Sequence, residues 1–310
     1  MTGAPPLVVV AGATATGKTG LGIELAERIV ARGRPAAVIS ADSRQVYRGL
    51  DIGTAKVSAA ERARVPHHGL DLVDPDQPFS LADFATHANG VLAGLAARGG
   101  VALLVGGTGL YLRAIGRGLD TAALPSDAAV RARLEADLER DGLAALVERL
   151  EALAPSRVDR IDLRNPRRVV RALEIAELAG DQPLPAPRGY PGSCIWIGLT
   201  LPPAEHQRRI TARACAQFDD GLIEEAQALR ERYDPTLPAF SAIGYREAWG
   251  VLDGELTRPA AIELDARRNV QFARRQATWF RSEPDVTWLD AATPGHVHDA
   301  AALVDGLLAR

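Results

Sequence analysis

The 310-residue chain is 47% hydrophobic and 24% charged, and its 36 Lys+Arg against 39 Asp+Glu leave a formal charge of −3. That balance excludes a disordered chain, and no apolar run approaches the ~20 residues that a bilayer-spanning helix needs. The two cysteines, Cys194 and Cys215, have neither Cys-x-x-Cys nor zinc-type spacing, which disfavours disulfide and structural-metal frameworks. The acidic total supplies no whole-molecule attraction for nucleic acid, so evidence for such a partner has to be local.

The first apolar segment begins at Leu7, leaving no room for a signal or transit peptide, and the expected location is the cytoplasm. LVVVAG at 7–12 reads as a strand, 18–32 as a helix, AVIS at 37–40 as a strand, Ser80 to Arg98 as a helix and VALLVGG at 101–107 as a strand. This alternation is the rhythm of a parallel sheet with crossover helices. In the 80–98 helix Ser80 is the N-cap and Asp83 the N3 residue. Leu81, Phe84, Ala85, Ala88, Leu92 and Leu95 recur at helical spacing and should pack on the sheet. His67 and His68 are read as a solvated loop rather than as metal ligands.

Residues 126–180 show no strand pattern, only Ala/Leu/Arg/Glu helices broken at Gly142, Pro155 and Pro166, as expected of a helical insertion. QPLPAPRGYPG at 182–192 leads to CIWIGLTL at 194–201, a strand that rejoins the first sheet. Helices are expected near 203–218, 221–232 and 259–281, followed by a VTWL strand at 286–289 and a terminal helix.

Residues 12–19, GATATGKT, match the phosphate-loop pattern and lie between a strand and a helix, the context that pattern requires. Gly12 and Gly17 let the backbone curl. Amides of Ala13, Thr14, Ala15 and Thr16 then face diphosphate oxygens, Lys18 adds charge, and the Thr19 hydroxyl is placed for Mg2+. The expected fold class is therefore α/β, a P-loop NTPase-like parallel sheet with crossover helices and a helical insertion domain. Its core would occupy 1–120 and 190–310, with the insertion at 121–189.

A phosphate loop specifies a diphosphate and not what is attached to it, so triphosphatase, kinase and diphosphate-releasing transferase all stay open. The clearest strand-end carboxylate is Asp42, in AVISADSRQVY, on the edge that carries the phosphate loop. It is a candidate base or positioning group, with helix capping or magnesium holding as the alternatives. Thr108, after VALLVGG, either faces the site or caps the helix beginning at Gly109.

With these residues placed, the chain resembles the tRNA dimethylallyltransferases, the isopentenyltransferases that modify the adenosine next to the anticodon. The resemblance runs through GATATGKT at 12–19, SADSRQVYRGLDIGTAK at 40–56, VPHHGLDLVDP at 65–75 and LLVGGTGLYLRAI at 103–115. It continues through NPRRVVRALEI at 165–175, GLIEEA at 221–226, AIGYREAW at 242–249 and FARRQATWFR at 272–281. Arg167 and Ala214 depart from the residues usual at their positions, a glutamine and an aromatic.

The resemblance implies that dimethylallyl diphosphate is held by the phosphate loop with Arg213, and that the insertion grips the tRNA anticodon stem-loop. It implies Asp42, Thr108 and Arg213 as catalytic residues. It also implies tRNA contacts at Asp42, Ser43, Arg44, Gln45, Thr108, Arg131, Arg167, Arg168, Val169, Val170, Arg171, Gly244, Tyr245 and Arg246. A monomer without obligate protein or membrane partners is expected. Arg164, Arg167, Arg168 and Arg171, and the arginines interleaved with Phe272, Trp279 and Phe280, offer phosphate contacts and stacking. The rivals are a free-nucleotide isopentenyltransferase, which needs no anticodon-binding insertion, a small-molecule kinase, and a noncatalytic RNA-binding protein.

Overall fold

In the computed structural model, residues 3–121, 124–183 and 185–309 are described, so Leu184 of the Pro/Gly-rich connection lies outside them. They form two compact units, one of residues 1–118 with 189–310 and one of residues 119–188.

The larger unit is built on six parallel strands: β1 (Leu7–Gly12), β2 (Ala36–Ala41), β3 (His67–His68), β4 (Val101–Gly106), β5 (Cys194–Thr200) and β6 (Val286–Asp290). Their order across the sheet is β3-β2-β4-β1-β5-β6. β1 and β4 are buried at every position, so their near-continuous apolar runs fit a parallel sheet covered on both faces. Leu7, Val9 and Ala11 of β1 enter one core with Phe84, Leu112 and Phe280, whereas Val8 and Val10 enter a second with Leu21, Ile29 and Val304. The period-two alternation of a strand thus feeds two helical layers.

The helices of this unit are α1 (Lys18–Ala31), α2 (Ala59–Arg64), α3 (Leu81–Ala96), α4 (Gly109–Gly116), α8 (Pro203–Asp219), α9 (Leu222–Arg230), α10 (Tyr245–Leu252), α11 (Arg258–Arg281) and α12 (His296–Leu308). The Ser80–Asp83 capping box forms as read from sequence, and Phe84, Ala85, Ala88, Leu92 and Leu95 are the buried face of α3. His67 and His68 differ from expectation. They are a half-buried edge strand paired with Val38 and Ile39. Two residues are too short to show periodicity, so their pairing is decided by the neighbouring strand.

The smaller unit contains α5 (Ala128–Leu153), α6 (Pro155–Val158) and α7 (Pro166–Ala179). Gly142, at φ 82° and ψ 170°, is non-helical and divides the α5 segment into two helical stretches, the break read from sequence. Leu134, Leu146, Leu150, Val169, Val170 and Leu173 form this unit's own core.

Candidate active site

Parallel strands bring their C-terminal ends to one edge, and the register places three loops side by side. Gly106 of β4 pairs with Ala11 of β1 on one side and with Ala41 of β2 on the other. The phosphate loop after β1 and Asp42 after β2 therefore flank Thr108, two residues past the end of β4. This edge is where open α/β sheets bind ligands.

In the phosphate loop Gly17 adopts φ 93° and Ala15 φ 61°, and a side chain at Gly12 would come within 2.8 Å of the Leu199 carbonyl. Thr16 is buried and its hydroxyl donates to the Ala13 carbonyl, which shapes the curl. Ala15, Gly17, Lys18, Thr19 and Arg213 line a cavity of about 930 Å3. Gly12, Ala13 and Thr16 face a separate cavity of about 320 Å3, bounded by Leu199, His206 and Phe280. The first set is thus placed to touch a ligand in the larger cavity, and the second supports the loop from behind.

Lys18 Nζ donates to the Ala13 carbonyl at 2.5 Å. Desolvation, then the nearby Arg213 charge, depress its pKa to about 7, while Asp42 opposes the shift. Arg213 donates to Thr14 Oγ1 at 3.0 Å and feels the charges of Asp42 and Asp265, with burial lowering its pKa. Two desolvated cations therefore meet at the loop without an ion pair of their own among the described residues. An anion is the ligand that relieves this arrangement.

Asp42 Oδ1 accepts from the Arg44 backbone N–H at 2.8 Å, while Oδ2 makes no hydrogen bond among the described residues. Asp42 heads a turn and caps no helix, which removes one alternative reading. Thr108 sits at the N-cap of α4 without a side-chain capping bond; its hydroxyl instead accepts from the Ser43 N–H at 3.0 Å. Thr108 and the Asp42 turn are therefore one unit. Arg44 donates to the Pro238 carbonyl, and Gln45 bridges Ser40 and the Thr54 carbonyl, so both brace neighbouring loops.

Gly244, at φ 110°, starts α10, and its N–H donates to Glu247. Tyr245 is fully buried, its hydroxyl donating to Glu225 Oε1 at 2.7 Å, and Arg246 is the exposed side chain of this trio. Glu225 also accepts from the Ile52 and Gly53 N–H groups, so GLIEEA and AIGYREAW support the loop that lines the phosphate cavity.

In the smaller unit Val169 and Val170 are core residues, and Arg131 and Arg171 both donate to the fully buried carboxylate of Glu174. Arg167 and Arg168 are exposed and have no ion pair among the described residues. On α11, Arg268 is paired with Glu247, whereas Arg267, Arg274, Arg275 and Arg281 are exposed and without ion pairs among the described residues. Trp279 packs under Arg113, Phe280 is buried and Phe272 is partly exposed.

Three buried or half-buried groups around the phosphate loop were not singled out from sequence: His206, Asp265 and Gln276. Burial pushes Asp265 up to about 6 against the pull of Asn269, and Gln276 bonds the loop backbone. For Asp265 and Gln276 the signal was present as polar residues on a face of α11 otherwise carrying Ala261, Ala266, Ala273 and Phe280, whereas His206 lies on α8.

Fold and site together define a P-loop-type α/β protein whose sheet edge sets two unpaired cations, suited to an anion, beside a carboxylate with a free oxygen. The sequence profile of the IPP transferase family matches residues 45–283. A tRNA dimethylallyltransferase from Thiobacillus denitrificans is 43% identical with 97% of each chain covered, and one from an Anaeromyxobacter species is 45% identical over 97% of each. The crystal structure of the tRNA isopentenylpyrophosphate transferase of Bacillus halodurans superimposes with a TM-score of 0.71 at 38% identity, covering 98% of this chain and 96% of that one. A eukaryotic dimethylallyltransferase structure shares the fold, with a TM-score of 0.77 at 23% identity over 98% of this chain and 78% of that one. The chain belongs to the tRNA dimethylallyltransferase family of prenyltransferases.

Proposed function

We propose that the chain transfers the dimethylallyl group of dimethylallyl diphosphate to the exocyclic amine of the adenosine adjacent to the anticodon in tRNA, releasing diphosphate. The observation that supports this most is the juxtaposition at one sheet edge. Asp42 keeps a free oxygen within electrostatic reach of Lys18 and Arg213, the two cations of the phosphate cavity.

The allylic carbon–oxygen bond breaks with its electron pair leaving on diphosphate, and the adenine nitrogen bonds to the same carbon. Lys18, Arg213 and the loop amides stabilise the new negative charge, which is catalysis by preorganised electrostatics. Asp42 accepts a hydrogen bond from the amine and takes its proton as the carbon–nitrogen bond forms. Thr108, fixed to Ser43, bounds the position of the base. Extruding that adenine is cheaper from a single-stranded loop than from a duplex.

Among the described residues no cluster of three or more His, Cys, Asp or Glu is poised to hold a metal ion. The exposed Thr19 hydroxyl at the start of α1 suits a hard cation that takes its other oxygens from diphosphate and water. Thr19 would hold Mg2+ there, and the ion would supply further charge for the leaving group.

On the tRNA side, Arg167, Arg168 and Arg246, with the unpaired arginines of α11, are the phosphate contacts of this reading. This reading assigns every role to a single chain, acting as a monomer. No described helix is long and apolar enough to cross a membrane, and a tRNA substrate accords with a cytoplasmic enzyme.

The test is incubation of the purified protein with magnesium, radiolabelled dimethylallyl diphosphate and either unmodified tRNA or AMP. Label in tRNA, strongly reduced by Asp42→Ala, supports the reading. Label in AMP alone would assign the free-nucleotide reaction, and label in neither would contradict prenyl transfer.

A further inference from the structure

Gln276 is buried on the inner face of α11 at 8% exposure, in a run otherwise notable for its arginines. Its Oε1 accepts from the Thr14 backbone N–H at 2.8 Å, and its Nε2 donates to the Gly107 carbonyl at 2.9 Å. One planar amide thus joins the phosphate loop to the end of β4. Its orientation is fixed by its partners, because a flipped amide would set donor against donor and acceptor against acceptor.

The Thr14 peptide is held at its other end too. His206 Nε2 lies 2.8 Å from the Thr14 carbonyl, so this nitrogen carries the proton, and Arg213 donates to the Thr14 hydroxyl. On the opposite side, Gly107 precedes Thr108, whose hydroxyl accepts from Ser43 beside Asp42. A continuous chain of hydrogen bonds and peptide bonds therefore runs from Thr14 through Gln276, Gly107, Thr108 and Ser43 to Asp42. Space for the bridge is reserved by sequence, since a Cβ at Gly107 would stand 2.4 Å from Gln276 Nε2.

We propose that Gln276 is a positioning residue that sets the spacing between the leaving diphosphate and the acceptor amine, by tying the phosphate loop to the strand end bearing Thr108. This rests on the prenyl-transfer reading of the site. In-line displacement needs the nucleophile, the carbon and the leaving oxygen aligned, and a misplacement of about 1 Å costs on the order of 10²-fold in rate. Gln276 spans the boundary between the two half-sites. Its loss should therefore impair their mutual alignment more than either one's affinity for its own ligand.

The experiment uses the full chain with Gln276→Met, which keeps side-chain volume but removes both hydrogen bonds, and Gly107→Ala, which crowds the amide from the other side. Thermal melts establish folding, calorimetry reads binding of inorganic diphosphate, filter binding reads tRNA, and rapid quench reads single-turnover transfer at saturating substrates. Each variant should lose about 10- to 100-fold in the single-turnover rate. Diphosphate and tRNA affinities should stay within about threefold of wild type. In a folded Gln276→Ala background, which removes both the bridge and the side-chain end that a Cβ at Gly107 would meet, Gly107→Ala should add less than about twofold.

A wild-type rate in folded Gln276→Met would overturn the inference. So would a loss confined to diphosphate affinity, or a Gly107→Ala effect of equal size in both backgrounds. Wild-type protein that transfers label to no acceptor would remove the prenyl-transfer reading, and this inference with it. Active wild type beside unaffected variants removes this inference alone.

Discussion

The sheet edge of the larger unit and the helix pair of the smaller one both carry arginine, yet they use it in opposite ways. Arg213 and Lys18 are desolvated and lean on a hydroxyl and a carbonyl, leaving their charge for a ligand. Arg131 and Arg171 are spent on Glu174, while Arg133 and Arg149 are spent on Glu177. Arginine content alone therefore does not locate an anion-binding surface. What marks a cation as available is the absence of an ion pair among the described residues, which at the phosphate loop holds for Lys18 and Arg213 and in the insertion for exposed side chains that include Arg167 and Arg168.

The largest expected effect is on the acceptor side of the edge. Asp42→Asn should lower the single-turnover rate by about 10²–10⁴ while leaving inorganic diphosphate binding intact. Lys18→Met should lower the turnover rate by about 10²–10³, as loss of one preorganised charge donor does, and should also weaken diphosphate binding measured by calorimetry. If Lys18→Met left both unchanged, the charge stored at the loop would serve some other ligand.

Lys18 also makes the comparison pH-dependent. Its folded pKa of about 7 lies below the ordinary lysine value of 10.5, and only the protonated form attracts diphosphate. Wild-type affinity for inorganic diphosphate should therefore fall as pH rises above 7, by up to about tenfold per unit, and bound ligand should raise the Lys18 pKa. The stability linkage runs the other way. The unfolded chain binds this proton more readily, so between pH 7 and 10.5 this group's contribution favours the folded state increasingly as pH rises. In Lys18→Met both trends attributable to this group should vanish from calorimetry and melting curves recorded across that window.

Smaller effects are expected in the insertion. Glu174→Gln leaves Arg131 and Arg171 without their carboxylate, and it should destabilise that unit by about 1–2 kcal/mol, since both arginines are partly exposed. Limited proteolysis between α5 and α7 would detect it, and diphosphate binding should not change. Smallest are the exposed cations: Arg167→Ala and Arg168→Ala should each reduce the salt slope of tRNA binding by about 1 if they contact a phosphate. An equal or larger change from Arg131→Ala would erase the distinction between paired and unpaired arginines.

Much of this organisation was legible in the sequence wherever it is local. GATATGKT between a strand and a helix, the Ser80–Asp83 capping box and the apolar runs of β1, β4 and β5 depend on neighbours in the chain. Three features escaped for physical reasons. The two-residue strand His67–His68 has no period of its own, and α10 is an amphipathic helix of only eight residues, too short for its pattern to stand out from the loops around it; Trp249 anchors it, donating to the Ala226 carbonyl and packing edge-on against Phe240. The clamp on Thr14 joins residues 262 positions apart, beyond the range of any local pattern. Tyr245 lies within a family motif but is a core residue, with Arg246 beside it as the solvent-facing group.

The most direct test of the central claim is to digest tRNA after reaction with labelled dimethylallyl diphosphate and to locate the label by mass spectrometry. The account predicts a single modified nucleoside, an adenosine adjacent to the anticodon carrying dimethylallyl on its exocyclic amine, formed by wild type and nearly absent with Asp42→Ala. Label on another nucleoside or another atom, or undiminished label with Asp42→Ala, would contradict it.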